Sequence, residues 1–184
     1  KPATGVLNPD LFFYSWSSAD RVDYLQDALS SQPTFTPDQA WDLIEQSSNG
    51  DVVAKFLLPL VEDASSNDSS QQLKVINQWL QSWDGFVNDS NNDGFYDQPQ
   101  YIFIQAFAEN LISEVLKDDL GSSFAYFKAT GYPTRDKATG SGMNLSSGLK
   151  ATYEALLGKT KVDLLNGLST SEVVRKVALQ THAQ

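Results

Sequence analysis

Apolar side chains recur at helical spacing along much of the chain. Between residues 73 and 83 they come at intervals of three, four and three residues, which places them on one face of a helix. They are Leu73, Ile76, Leu80 and Trp83, with Trp79 beside them. The same spacing continues after Pro99, and we predict the longest helix over residues 100–120, ended by Gly121. Its predicted buried face consists of Phe103, Ile104, Phe107, Ala108, Leu111, Val115 and Leu116.

Capping residues mark the starts of two further helices. In Thr36-Pro37-Asp38-Gln39 a hydroxyl caps the helix, a proline takes its first position and an amide reaches back to the cap. An apolar stripe follows directly, formed by Ala40, Trp41, Leu43 and Ile44. Ser169-Thr170-Ser171-Glu172 is a second capping box, which predicts the last helix of the chain.

The remaining helices are predicted from shorter signals. We expect one starting at Asp20 and Arg21 and running to Ala28, and others over residues 52–63, over residues 123–129 and from Ser146 or Ser147 to Leu157. Pro59 should kink or break the helix over residues 52–63, and residues 64–70 and 131–144 have the composition of loops. Strand patterns are scarce. The predicted fold class is therefore all-α, an irregular array of about seven helices in one domain over residues 1–184.

Composition excludes several kinds of chemistry. The 184 residues carry a net charge of −10, with no cysteine and a single histidine, His182. A thiolate zinc site, a cysteine nucleophile and a Ser-His-Asp triad are therefore not expected. The acidic balance argues against nucleic acid and anionic membranes as partners, because phosphate groups are bound by Lys and Arg. No apolar run is long enough to span a bilayer.

Residues 89–97 resemble the first nine positions of a calcium-binding loop. Side-chain oxygens occur at loop positions 1, 3, 5 and 9, while Gly94 supplies the sharp turn at position 6 and the carbonyl of Phe95 falls at position 7. Hard oxygen ligands at alternate positions of a tight turn suit calcium. The predicted ligands are Asp89, Asn91, Asp93 and Asp97, and the site that they predict is a structural calcium site.

Two features of the same loop leave an alternative open. Position 12 is Gln100 instead of a bidentate glutamate, and position 8 is the bulky Tyr96. Asn and Asp side chains also hydrogen-bond their own backbone in turns that hold no metal. The loop is expected to stabilise the structure in either case, without a catalytic role.

A series of short motifs along the chain has a familiar order. The first motif places Asp10 ahead of a dense aromatic run over residues 11–16. Taken by itself, this aromatic run would be expected to pack in a core. The motifs are Asn8-Pro9-Asp10-Leu11-Phe12, Trp16, Ala19-Asp20-Arg21-Val22, residues 36–42, Phe56-Leu57-Leu58-Pro59, Trp83-Asp84-Gly85, residues 129–132, Thr139-Gly140, residues 143–146 and Tyr153-Glu154-Ala155. In these motifs, from about residue 8 to residue 180, the chain resembles the penicillin G acylase family.

The resemblance implies a function for a larger protein. The family has an N-terminal nucleophile fold with an αββα core, is processed autocatalytically into α and β chains, and is periplasmic or secreted. It hydrolyses phenylacetyl amides such as benzylpenicillin. The resemblance places this chain inside the β chain, so the remainder of the β chain, the α chain and a small amide substrate are the implied partners.

The resemblance also implies roles for two residues. Arg21 matches the arginine near the family's catalytic centre, which contributes to the electrostatics of the substrate and the transition state. Asp10 matches one ligand of the family's calcium ion, whose other ligands lie outside this segment. The family's nucleophile is a serine at the first position of the β chain, activated by its own amine, and its oxyanion-hole asparagine lies in a Trp-Asn-Asn motif. Residues 1–7 match neither feature.

These observations support two expectations. The first is that the chain is an internal helical piece of such an enzyme, because Lys1 is not an initiator and the final helical pattern has no closing Gly or Pro. The isolated piece is then expected to be inactive. The alternative is a stand-alone helical binding module stabilised by calcium.

Overall fold

Seven helices account for most of the structure, a computed structural model that describes residues 21–66, 68–125 and 145–184. They are α1 (Arg21–Ser30), α2 (Pro37–Asn49), α3 (Val52–Ser66), α4 (Gln71–Gln81), α5 (Pro99–Leu120), α6 (Leu145–Leu156) and α7 (Thr170–His182). Residues 123–125 are also helical, and none of the described residues lies in a β-strand. The all-α prediction is confirmed.

The chain divides into two units, residues 1–52 and residues 53–184. In the first unit, α1 and α2 pack against each other. In the second unit, α6 and α7 both pack on α5, and α7 also contacts α4. α5 is therefore the central helix of the second unit.

The buried face of α5 is the one that the apolar spacing predicts. All seven predicted residues are buried, and Gln100 and Ile112 join them. Phe103 and Phe107 stack with their ring centroids 6.1 Å apart, and Trp79 of α4 meets the Phe103 ring edge-on at 5.7 Å. Such aromatic pairs add to the stabilisation that burial of their area provides.

Both predicted capping boxes are present. The Thr36 hydroxyl accepts a hydrogen bond from the Gln39 amide N–H at 3.2 Å, and the Gln39 side chain accepts one from the Thr36 N–H at 2.9 Å. At the start of α7, the Ser169 hydroxyl and the Glu172 carboxylate make the equivalent pair of bonds at 3.3 and 2.8 Å. Because each box satisfies two N–H groups that lack helical partners, it fixes the first turn of its helix.

α3 differs from its prediction. Of the kink or break predicted at Pro59, the break does not occur, since the helix continues through this exposed residue to Ser66 and includes the first residues of the predicted loop. Residues on both sides of Pro59 are buried at intervals of three and four: Ala54, Leu57, Val61 and Ala64. This packing holds the helix together on either side of the position where proline removes a hydrogen bond.

α2 presents much of its apolar stripe to solvent. Trp41 is 69% exposed and Ile44 54% exposed. Leu43 is half-buried, and the buried residue on this helix is Ser47. The face of α2 that the structure covers is thus different from the face that carries Trp41 and Ile44.

α4 and α6 end within two residues of their predicted limits. α4 ends at Gln81, two residues before the predicted end at Trp83, and the buried Trp83 ring donates from Nε1 to the Phe86 carbonyl at 2.6 Å.

No helix in the described part of the chain has the length and apolar character needed to cross a bilayer.

Candidate functional site

The four predicted calcium ligands of the loop, Asp89, Asn91, Asp93 and Asp97, lie in the segment that joins α4 to α5. Its base is closed by two residues, because the Asn88 N–H donates to Gln98 Oε1 at 2.9 Å and Gln98 Nε2 donates back to Asn88 Oδ1 at 2.7 Å. The Asp97 N–H also donates to the Asn88 carbonyl at 2.8 Å. The turn between these residues is therefore held as a closed loop.

Asp89 organises the tip of this loop. Its Oδ1 accepts a hydrogen bond from the Asp93 N–H at 3.0 Å, and its Oδ2 accepts one from the Gly94 N–H at 2.8 Å. Gly94 has φ +89°, a left-handed conformation that glycine adopts without steric cost. One carboxylate thus binds two successive backbone N–H groups across the turn.

Asn91 and Asp93 continue the same pattern. Asn91 Oδ1 accepts from the Asp93 N–H at 3.0 Å, and Asp93 Oδ1 accepts from the Phe95 N–H at 2.9 Å. Each bond spans two residues, as in the turns that Asn and Asp side chains form with their own backbone. These contacts are those of the turn alternative.

Asp97 is bound at the other side of the loop. Its Oδ2 accepts hydrogen bonds from the Ser90 hydroxyl and, at 3.1 Å, from the Ser90 N–H. The hydroxyl bond and then the backbone bond lower the pKa of Asp97, because both stabilise its charged form. One oxygen of the Asp97 carboxylate is thus bound by both the hydroxyl and the N–H of Ser90.

The four side chains supply the oxygen chemistry that calcium prefers, but each accepts a hydrogen bond from the loop itself. The described residues include no cluster of three or more His, Cys, Asp or Glu side chains arranged to hold a metal ion. The hydrogen bonds of the loop therefore explain its conformation without a metal. Calcium binding stays a prediction, to be tested by titrating the protein with calcium.

A cleft of about 480 Å³ lies beside the loop, and two carboxylates line it. Asp84 accepts a hydrogen bond from the Phe86 N–H at 3.0 Å, while Asp97 is bound to Ser90. The amide of the buried Gln100 donates to the Trp79 carbonyl and the Ser82 hydroxyl. These polar groups bind the protein's own backbone and side chains, so they stabilise the walls of the cleft.

Arg21 and Asp10 are the two site residues predicted outside the loop. Arg21 is the first residue of α1, and its side chain lies outside the described side chains. Asp10 and the aromatic run that follows it lie outside the described residues, as do residues 126–144 with the predicted loop and the end of the predicted helix over residues 123–129. The roles of Arg21 and Asp10 stay predictions.

Other acidic groups connect distant segments of the second unit. Asp68 accepts from the Ser70 N–H at 2.6 Å and pairs with Arg175 of α7 at 3.2 Å, and the backbone bond is the larger cause of its lowered pKa. Lys176 of α7 pairs with Glu114 of α5 at 2.5 Å. These pairs join α7 to Asp68 and to α5. Sequence spacing does not predict them, because the partners are far apart along the chain.

The comparisons with known proteins identify the family. The sequence model described as penicillin amidase matches residues 3–178, nearly the whole chain. The chain belongs to the penicillin amidase family. The resemblance inferred from the short motifs is thereby confirmed.

Two members of the family are much longer than the stretch that they share with this chain. Penicillin G acylase of Escherichia coli is 34% identical over 174 residues, which cover 90% of this chain and 20% of that protein. A thermostable penicillin G acylase from Alcaligenes faecalis has the same fold, with a TM-score of 0.76 at 23% identity, over 100% of this chain and 34% of the solved chain. This member of the penicillin amidase family thus spans a fifth of one relative and about a third of the other.

Proposed function

We propose that this chain is the helical segment of a penicillin G acylase-like amidohydrolase with an N-terminal nucleophile fold. The proposed reaction is hydrolysis of the side-chain amide of penicillins and related phenylacetyl amides. The observation that carries the proposal is the match of the penicillin amidase family to residues 3–178, together with 34% identity to a penicillin G acylase.

The helical segment is assigned a supporting role in catalysis. In the proposed mechanism, a serine at the start of a β chain attacks the amide carbonyl, with its own α-amine as the base. Arg21, at the start of α1, contributes positive charge near the reacting groups, while Asp10 supplies one oxygen to a calcium ion whose other ligands lie elsewhere in the enzyme. The remainder of the β chain and the α chain are the proposed partners, in the periplasm or outside the cell.

The isolated segment is proposed to be inactive, because it represents a fifth to a third of the length of its relatives. The test compares the isolated 184-residue chain with the full-length protein that contains it, using a chromogenic phenylacetyl amide. We expect hydrolysis by the full-length protein and only the buffer rate for the isolated chain. Failure of the full-length protein to hydrolyse the amide would overturn the proposed activity.

A charge-neutral variant of Arg21 tests its assigned role. In the full-length protein, Arg21→Gln should lower kcat/KM for the phenylacetyl amide while leaving the fold intact, since it removes a charge near the reaction. Ionic interactions of this kind contribute about tenfold or more to rate when they act in the transition state. A kcat/KM equal to that of the unmodified enzyme would refute the role.

The comparisons give no support to the alternative of a stand-alone calcium module.

A further inference from the structure

The α2 face, defined by Trp41 and Ile44, is the most apolar part of α2 and faces solvent. The two residues are three positions apart and so lie on the same side of the helix. Leu43 and Ser47, four positions apart, define the side that the structure covers. A single exposed apolar residue needs no explanation, but an exposed tryptophan with an isoleucine beside it on one face is typical of an interface.

Helix stability leads to the same conclusion. α2 has 13 residues, and a helix of this length is marginal in water unless it buries an apolar face. Its capping box fixes the first turn but leaves Trp41 and Ile44 without cover. The side chains with most to gain from burial are therefore those that the described structure does not bury.

Charge restricts what can cover this face. Residues 22–54 contain six acidic residues and no Lys or Arg. On α2 itself Asp38, Asp42 and Glu45 are exposed around Trp41 and Ile44. A second copy docking through the same face would bring like charges together, which is unfavourable. A complementary surface is apolar at its centre and bordered by Lys or Arg.

The length of the relatives indicates where that surface is. The chain covers 20% of the Escherichia coli penicillin G acylase and 34% of the Alcaligenes faecalis chain, so most of the length of such an enzyme lies outside these residues. We propose that the α2 face docks on an apolar, base-bordered surface in the remainder of the parent amidase. This inference rests on the proposed function, because it requires the chain to be part of a larger protein.

Thiol labelling tests the proposal directly, because the chain has no cysteine of its own. Ile44→Cys places a thiol on the α2 face, and Gln46→Cys places the control on an exposed position of the same helix, about 160° away around the axis. Each variant is made in the isolated chain and in the full-length protein. The rate of maleimide modification is followed by mass spectrometry of the peptide that carries the new cysteine.

We expect the two thiols to react at similar rates in the isolated chain. In the full-length protein, Ile44→Cys should react at least about tenfold more slowly than Gln46→Cys, because a covered thiol reacts only when the interface opens. Equal rates in the full-length protein would overturn the proposal. Slow labelling of Ile44→Cys that already appears in the isolated chain would also overturn the proposal. If the slow rate depends on protein concentration, a second copy covers the α2 face; if it does not, another part of this chain covers the face.

The labelling result is independent of the catalytic one. Hydrolysis of the phenylacetyl amide by the unmodified full-length protein, with equal labelling of the two thiols, would refute the docking face and leave the proposed function standing. Slow labelling of Ile44→Cys in a full-length protein that hydrolyses no phenylacetyl amide would support the docking face and refute the proposed function.

Discussion

Replacing Asp89 tests whether the loop between α4 and α5 is held by its own side chains. Asp89→Ala removes the two carboxylate oxygens that accept hydrogen bonds from the Asp93 and Gly94 N–H groups at 3.0 and 2.8 Å. A hydrogen bond of this type contributes about 0.5–1.5 kcal/mol net, and the freed N–H groups in this exposed loop can bind water. We therefore expect the free energy of unfolding to fall by about 1–2 kcal/mol.

Thermal unfolding and hydrogen exchange measure this change at two levels. For a domain of this size, 1 kcal/mol corresponds to about 2–4 °C, so the Tm should fall by about 2–8 °C in a buffer containing a calcium chelator. Amide exchange at Asp93 and Gly94 should accelerate, while exchange in the core of α5 should change only with global stability. Asp84→Ala, which removes one acceptor for the Phe86 N–H at 3.0 Å, should have about half the effect on Tm.

An Asp89→Ala variant with an unchanged Tm and unchanged exchange of the Asp93 and Gly94 amides would refute the role assigned to the Asp89 carboxylate. That result would mean that the closure of the loop by Asn88 and Gln98 is sufficient to hold the turn. A loss of stability seen only when calcium is present would also contradict it, because the contribution of Asp89 would then depend on the metal.

Three further predictions concern the metal, the core and the charges. If calcium binds the loop, a calcium concentration of 100 times its Kd should raise the free energy of unfolding by about 2.7 kcal/mol. An unchanged Tm at millimolar calcium would refute calcium binding and support the turn without a metal. Phe107→Ala should cost about 3–5 kcal/mol in urea unfolding, since the side chain is 0% exposed and stacks on Phe103, whereas Ile102→Ala, at a position 70% exposed, should change stability by less than about 0.5 kcal/mol. Similar losses for the two variants would contradict the assigned core. The carboxyl groups of Asp68, Asp97, Asp118 and Glu172 have lowered pKa values, so the folded state binds fewer protons than the unfolded state. Their contribution to stability is complete above the unfolded pKa of about 4 and is lost as the pH falls through the folded pKa values. Ser90→Ala should raise the pKa of Asp97, which is measured by NMR titration of its carboxyl carbon. An unchanged pKa would remove Ser90 as the cause.

The local features of the fold were predictable because they depend on residues that are neighbours in sequence. The capping boxes at Thr36 and Ser169 each involve residues three apart, and the buried face of α5 follows from a spacing of three and four. The continuity of α3 through Pro59 was not predictable in this way. It depends on packing of the residues around Pro59, which no local rule for proline contains.

The candidate site was predictable to the same extent. The spacing identified the oxygen-bearing side chains of the loop, but a carboxylate in this pattern can bind a cation or its own backbone, and the sequence does not distinguish the two. The bond from Ser90 to Asp97 forms because Asn88 and Gln98 bring the ends of the loop together. Similarly, Asp68 and Arg175 are 107 residues apart, and their pairing depends on how α7 packs.

The position of α7 in the fold determines when the core is completed during synthesis. Its buried residues Val173, Val174, Val177 and Ala178 lie in the same core as the buried face of α5, and Asn110 of α5 donates to Thr181 at 3.0 Å across 71 residues. At translation rates of about 5–20 residues per second, roughly 3 to 12 s separate the synthesis of α5 from that of α7. For that interval α5 has been made, but the α7 valines that pack on it have not. The second unit therefore completes its packing late, and a nascent chain paused after Leu120 has made α5 but not the α7 residues that pack on it.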